Sequence, residues 1–99
     1  MAVKHVVLWN FKAGLSSQKA QELYDQIRAL KEKISLVQEF AGGGNISEEG
    51  LSQSFTHGFI MTFSDRKAVS AYLKHPEHIR TVEKILPLID KIAVVDFEA

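Results

Sequence analysis

The stretch VKHVVLWNFK, Val3 to Lys12, is rich in β-branched and aromatic residues and holds neither glycine nor proline, the composition of a strand. Alternation puts His5, Val7, Trp9 and Phe11 on one face and Val6, Leu8 and Asn10 on the other. Both faces are mostly apolar, so both call for cover. The fold question is what supplies the second cover.

Ser16 and Ser17 cap a helix expected to run to about Ile34, with Ala20, Leu23, Ile27, Leu30 and Ile34 spaced three, four, three, four along one stripe. Its other side is polar and charged, so it lies one-sidedly on a sheet. SLVQEFAGGG reads as a weaker strand ending in glycines, and Gly42 to Gly50 as a loop. Ser52 to Phe63 reads as a strong strand with Phe55, His57, Phe59, Met61 and Phe63 on one face. Ser64 is the expected cap of a short helix that buries Ala68, Val69, Tyr72 and Leu73. His75 precedes a proline and so avoids the α region, which stops that helix near Lys74. Pro76 suits the first turn of a new helix, and Pro87 ends it. Asp90 to Glu98 is the last strand. The order βαββαβ is a ferredoxin-like α+β arrangement: a four-stranded antiparallel sheet with helices on one face. Residues 1–99 form one domain of ordinary size. The uncovered sheet face calls for a second copy of the chain, so a homodimer is expected.

Composition narrows the function. Twelve basic residues balance twelve acidic ones, which gives no pull on phosphate backbones or anionic membranes. Nucleic acid and membrane partners are therefore not expected. There is no cysteine, which removes disulfides, thiolate nucleophiles and zinc–thiolate sites together. The first eleven residues lack a signal-peptide shape, and no stretch approaches the ~20 apolar residues of a membrane span. A soluble, cytoplasmic protein is expected.

Candidate chemistry gathers in AYLKHPEH, Ala71 to His78. His5 and His57 fall on the strand faces richest in aromatic side chains, which should look at the helices. Tyr72 sits on the apolar side of its helix and should look back at the sheet, and His78 lies in the first turn of the last helix. These four are expected to meet in one pocket. A histidine near a helix N-terminus feels a field that disfavours its charged form, which keeps it available as a base. A tyrosine hydroxyl can donate to an oxygen that gains negative charge. The pair suits proton removal beside a carbonyl, with His5 and His57 orienting it. Val7, Trp9, Phe59, Tyr24 and Ile27 are the expected wall for an apolar ligand. Taken singly, a buried histidine is more often a hydrogen-bonded structural residue, and an inner-face tyrosine a core residue. Their convergence is what points to chemistry. His75 and His78 have metal-ligand spacing, but no third ligand is placed to complete a site. GGGN lacks the Lys-Ser/Thr of a phosphate loop. No cofactor is implied.

VKHVVLWNFK, FTHGFIMTF, YLKHPEH and DKIAVVDFE, in this order, resemble the stress-responsive dimeric α/β-barrel family, the A/B barrel domain. The resemblance implies a homodimer whose two sheets close into a barrel. The family includes plant polyketide cyclases of the olivetolic acid cyclase type, which close a poly-β-ketoacyl chain by an intramolecular aldol reaction. By that resemblance Tyr72 and His78 are an acid–base pair supported by His5 and His57. Trp9 stands where those cyclases carry a smaller aliphatic residue. Two readings follow. The first is a small homodimeric barrel protein whose sheet–helix pocket takes a small polyketide or aromatic ligand, its reaction unassigned. The alternative is a cofactor-independent polyketide cyclase using Tyr72 and His78.

Overall fold

The computed structural model describes residues 1–99. Its elements are β1 (Val3–Phe11), α1 (Ser17–Arg28), α2 (Leu30–Lys33), β2 (Glu39–Gly44), β3 (His57–Phe63), α3 (Arg66–Leu73), α4 (Pro76–Ile85) and β4 (Ile89–Glu98). The four strands form one sheet in the order β2-β3-β1-β4, and every neighbouring pair is antiparallel. This is the expected ferredoxin-like α+β fold. No helix is long and apolar enough to cross a membrane.

Local chemistry explains most boundaries. The Ser16 hydroxyl accepts from the Lys19 amide at 3.1 Å and starts α1. The expected single helix to Ile34 is divided at Ala29, whose carbonyl accepts from both the Glu32 and Lys33 amides, a tightened turn. Ala29 keeps right-handed angles, so Leu23, Ile27, Leu30 and Ile34 still bury along one side. Asp65, not Ser64, caps α3, its carboxylate accepting from the Ala68 amide at 2.8 Å. α4 ends at Ile85, and Pro87 lies in a 3-10 turn over Leu86–Leu88.

Two corrections concern the β2–β3 connection. β2 does end in glycines, with Gly42, Gly43 and Gly44 paired with Phe59, Gly58 and His57, so the loop starts after Gly44 rather than at Gly42. A Cβ on Gly42 would stand 2.6 Å from the Gly58 carbonyl oxygen, so the close approach of β3 requires glycine there. Ser52 to Thr56 is not strand: Gln53 and Ser54 have left-handed φ of 54° and 69°. The Phe55 amide turns back to the Ser52 carbonyl. Phe55 therefore leaves the inner face and lies under the Lys91 amine, 4.5 Å from its ring centre.

The core lies between the sheet and the helices: Val3, Val7, Trp9, Phe59, Met61 and Phe63 from the strands meet Leu23, Ile27, Leu30, Tyr72 and Ile85. The opposite sheet face is open. Leu8, Ile60, Val95 and Phe97 are 40–60% exposed on it, the surface that the two-faced pattern of β1 foretold.

Candidate functional site

β1, β4 and α4 frame a cleft of about 290 Å3. Pairing sets His5 opposite Asp96, Val7 opposite Val94 and Trp9 opposite Ile92. α4 carries His78 in its first turn and Ile85 at its last residue. All three elements thus run from polar to apolar along the cleft. His5, Asp96 and His78 lie at one end; Trp9, Ile92, Ile89 and Ile85 lie toward the other. Four residues of strand separate His5 from Trp9, a run of ~13 Å.

At the polar end the Tyr72 ring centre is 4.5 Å from that of His78 and 5.9 Å from that of His5. Nδ1–H of His78 donates to the Leu73 carbonyl oxygen at 3.1 Å. A carbonyl only accepts, so the proton of the neutral ring sits on Nδ1 and the lone pair is on Nε2. Burial lowers the pKa of His78. The Leu73 carbonyl opposes that effect, and the nearby imidazoles of His5 and His75 add to it. Burial raises the phenol of Tyr72 above its ordinary range, so it stays protonated at neutral pH. Its ring is almost fully buried, yet the hydroxyl is not among the enclosed polar atoms lacking a partner, which are Trp9 Nε1 and Asn10 Oδ1. A neutral donor and a neutral base therefore stand side by side at one end of an apolar cleft.

His5 is 5% exposed, and its Nδ1–H donates to the Asp96 carboxylate at 2.5 Å. That bond fixes the ring and leaves Nε2 as its open nitrogen. Sequence reading missed Asp96. The signal was its antiparallel register with His5, which no one-dimensional spacing reveals.

Of the expected catalytic residues, the structure brings together His5, Tyr72 and His78 but not His57. His57 pairs with Trp9, while His5 pairs with Met61, an offset of four residues along β1. Its ring stacks on the Trp9 indole at 5.5 Å and meets Phe11 at 5.3 Å. Its Nδ1 is 2.8 Å from the Thr56 hydroxyl. Burial lowers its pKa as well. Facing the same side of a sheet did not ensure meeting in the same cavity. Of the expected wall, Val7, Trp9, Phe59 and Ile27 line the cleft and Tyr24 does not. Tyr24 lies stacked on Trp9 and beside Phe40. Trp9 meets Phe11, Tyr24, His57 and Phe59, and its indole lines the cleft together with Tyr72.

Residues 3–99 match the family model described as Stress responsive A/B Barrel Domain. The chain is similar to the stress-response A/B barrel domain-containing protein HS1 of Arabidopsis thaliana, 38% identical over 96 residues, 97% of this chain and 88% of that protein. It is more distantly similar to olivetolic acid cyclase of Cannabis sativa, 22% identical over 97 residues, 98% of this chain and 96% of the cyclase. Among solved structures, it superposes on a dimeric ferredoxin-like protein of unknown function from Jannaschia sp. with a TM-score of 0.85, at 26% identity and full coverage of both chains.

Proposed function

The chain belongs to the stress-responsive A/B barrel domain family, and within it we propose that the cleft binds a small compound with a carbonyl head and an apolar tail. Tyr72 and His78 act on the head as a cofactor-free acid–base pair. One observation carries this reading: the phenol and the imidazole stand together, both neutral, at the polar end of a cleft that turns apolar along β1, β4 and α4. The Tyr72 hydroxyl donates to the carbonyl oxygen, and Nε2 of His78 removes a proton from the adjacent carbon. The electron pair of the broken C–H bond moves into the enolate, whose oxygen the phenol steadies. Asp96 holds His5 as the third wall of the head site. A cavity of about 290 Å3 is at the low end of the ~300–1,000 Å3 usual for ligand pockets, so the ligand is small, and Trp9 limits its tail.

The test is deuterium incorporation in D2O next to the carbonyl of 2-heptanone and 4-phenylbutan-2-one, followed by proton NMR. The wild type accelerates exchange, and Tyr72→Phe and His78→Ala each remove most of the acceleration. Exchange equal to the protein-free rate, or unchanged in both variants, overturns the reading.

Aldol ring closure is the second reading. The similarity to olivetolic acid cyclase and the place of Tyr72 and His78 together on the cleft wall support it. Incubation with a short poly-β-keto thioester tests it: a cyclised carboxylic acid supports ring closure, and the lactone formed without protein is the contrary result.

The working unit we propose is a homodimer in which two open sheet faces seal each other. The exposed row Leu8, Ile60, Val95 and Phe97 and the dimeric structural relative support it.

A further inference from the structure

Tyr72 is on α3 and His78 on α4, and the two helices are joined by only two residues, Lys74 and His75. His75 sits in extended backbone at the N-cap of α4, with φ −67° and ψ 135°. Its Nδ1 accepts from the Glu77 amide at 3.1 Å. Its own amide donates to the Tyr72 carbonyl, and its carbonyl accepts from the Ile79 amide, each at 3.0 Å. The junction is therefore tied on both sides at a single residue. On one side is the turn that ends with the phenol; on the other is the helix that carries the base.

Helix caps are ordinarily hydroxyl, amide or carboxylate oxygens, which accept at neutral pH. An imidazole nitrogen accepts only while it carries no proton. His75 accepts and His78 donates, both through Nδ1. Neutral His75 thus carries its proton on Nε2, and neutral His78 carries its own on Nδ1. The two rings are opposite tautomers three residues apart.

We propose that His75 is a positioning residue for the Tyr72–His78 pair, holding it in place only while Nδ1 of His75 is unprotonated. The proposal rests on the acid–base reading of that pair. A second proton turns Nδ1 into a donor facing the Glu77 amide, also a donor, and sets a positive charge at the positive end of the α4 dipole. The cap then opens, and the first turn of α4 with His78 shifts against Tyr72. The charged and titratable groups around this turn come from several elements. Lys74 precedes His75, and Glu77 follows it, bonded to Arg80 at 3.0 Å and 3.9 Å from the Lys33 amine of α2. His78 follows on α4, and beyond it His5 of β1 and Asp96 of β4 face the cleft.

The experiment is long-range proton–nitrogen NMR of uniformly labelled protein between pH 8 and 5, with no ligand present. The expected wild-type spectrum shows His75 with its proton on Nε2 and His78 with its proton on Nδ1, and the Tyr72 ring signals move with the midpoint of His75. His75→Asn supplies a cap that does not titrate. At pH 8 it should leave the Tyr72 and His78 signals at their wild-type positions, and on acidification it should abolish the His75 midpoint, leaving only the step of His78 itself. His75→Ala should displace both residues at every pH. Wild-type Tyr72 and His78 signals in His75→Ala, or an unchanged pair of midpoints in His75→Asn, overturns the proposal. The asparagine variant decides the matter even where the alanine variant unfolds. Because no substrate is added, failure of the carbonyl exchange assay and failure of this proposal are read separately.

Discussion

The Asp96 carboxylate holds Nδ1 of His5 at 2.5 Å across neighbouring strands. One residue is nearly fully buried and the other is at the cleft mouth, its side chain 41% exposed. The bond orders the floor of the head site, since an imidazole free to rotate would present either nitrogen. Asp96→Ala should lower stability by about 1–2 kcal/mol, the range for a hydrogen bond to a charged group at a half-open position. It should also let His5 populate both tautomers. Urea denaturation and histidine nitrogen shifts check the two effects, and an unchanged tautomer would show that Asp96 does not orient the ring.

Tyr72→Phe separates chemistry from packing. The ring carries the contacts to Phe63, His5 and His78, while the hydroxyl is the proposed donor to the ligand's carbonyl. The variant should lose carbonyl exchange at least tenfold yet change stability by less than about 1 kcal/mol. A loss of several kcal/mol in chemical denaturation would make the hydroxyl a structural group.

Burial lowers the pKa of both His57 and His78, and this fixes the sign of the pH dependence. Each group binds its proton less readily folded than unfolded, so stability is full above the unfolded value of about 6.5 and falls as pH drops below it. His57→Asn and His78→Asn should each flatten the decline between pH 6.5 and 5, whatever they do to stability at pH 8. Thermal melts across that range give the slope, and a stability that is level there would contradict the burial of both rings.

In the proposed reading Trp9 limits the ligand's tail at the apolar end of the cleft. Trp9→Leu should destabilise the protein by about 2–4 kcal/mol, as large-to-small core changes do. It should also move the preferred 2-alkanone toward longer tails. Binding followed by NMR across a chain-length series reads this, and an unchanged preference would place the tail elsewhere.

The open sheet face should be a contact between copies. Wild-type protein at micromolar concentration should sediment as a dimer, and Leu8→Asp with Val95→Glu should sediment as a folded monomer, since both positions are exposed in the single chain. A monomeric wild type would leave that face to solvent and remove the barrel.

What the chain determined by itself is local. Alternation in β1, the 3-4 spacing of α1 and the two prolines name the elements and their order, because strand pleat, helix turn and ring closure act over a few residues. The two-faced β1 even announced an uncovered sheet surface. Tertiary structure alone decided which inward-facing groups share a cavity. Alternation gives the side of the sheet but not the distance along it, so His5 and His57 looked equivalent. The register then put His57 beside Trp9 and His5 beside Asp96. The same limit hid Tyr24 behind Trp9 and the start of β3 at His57, after the left-handed Gln53 and Ser54. Those outcomes depend on contacts between residues distant in the chain, such as the Thr56 amide bonded to the Trp9 carbonyl, which no spacing within one segment contains.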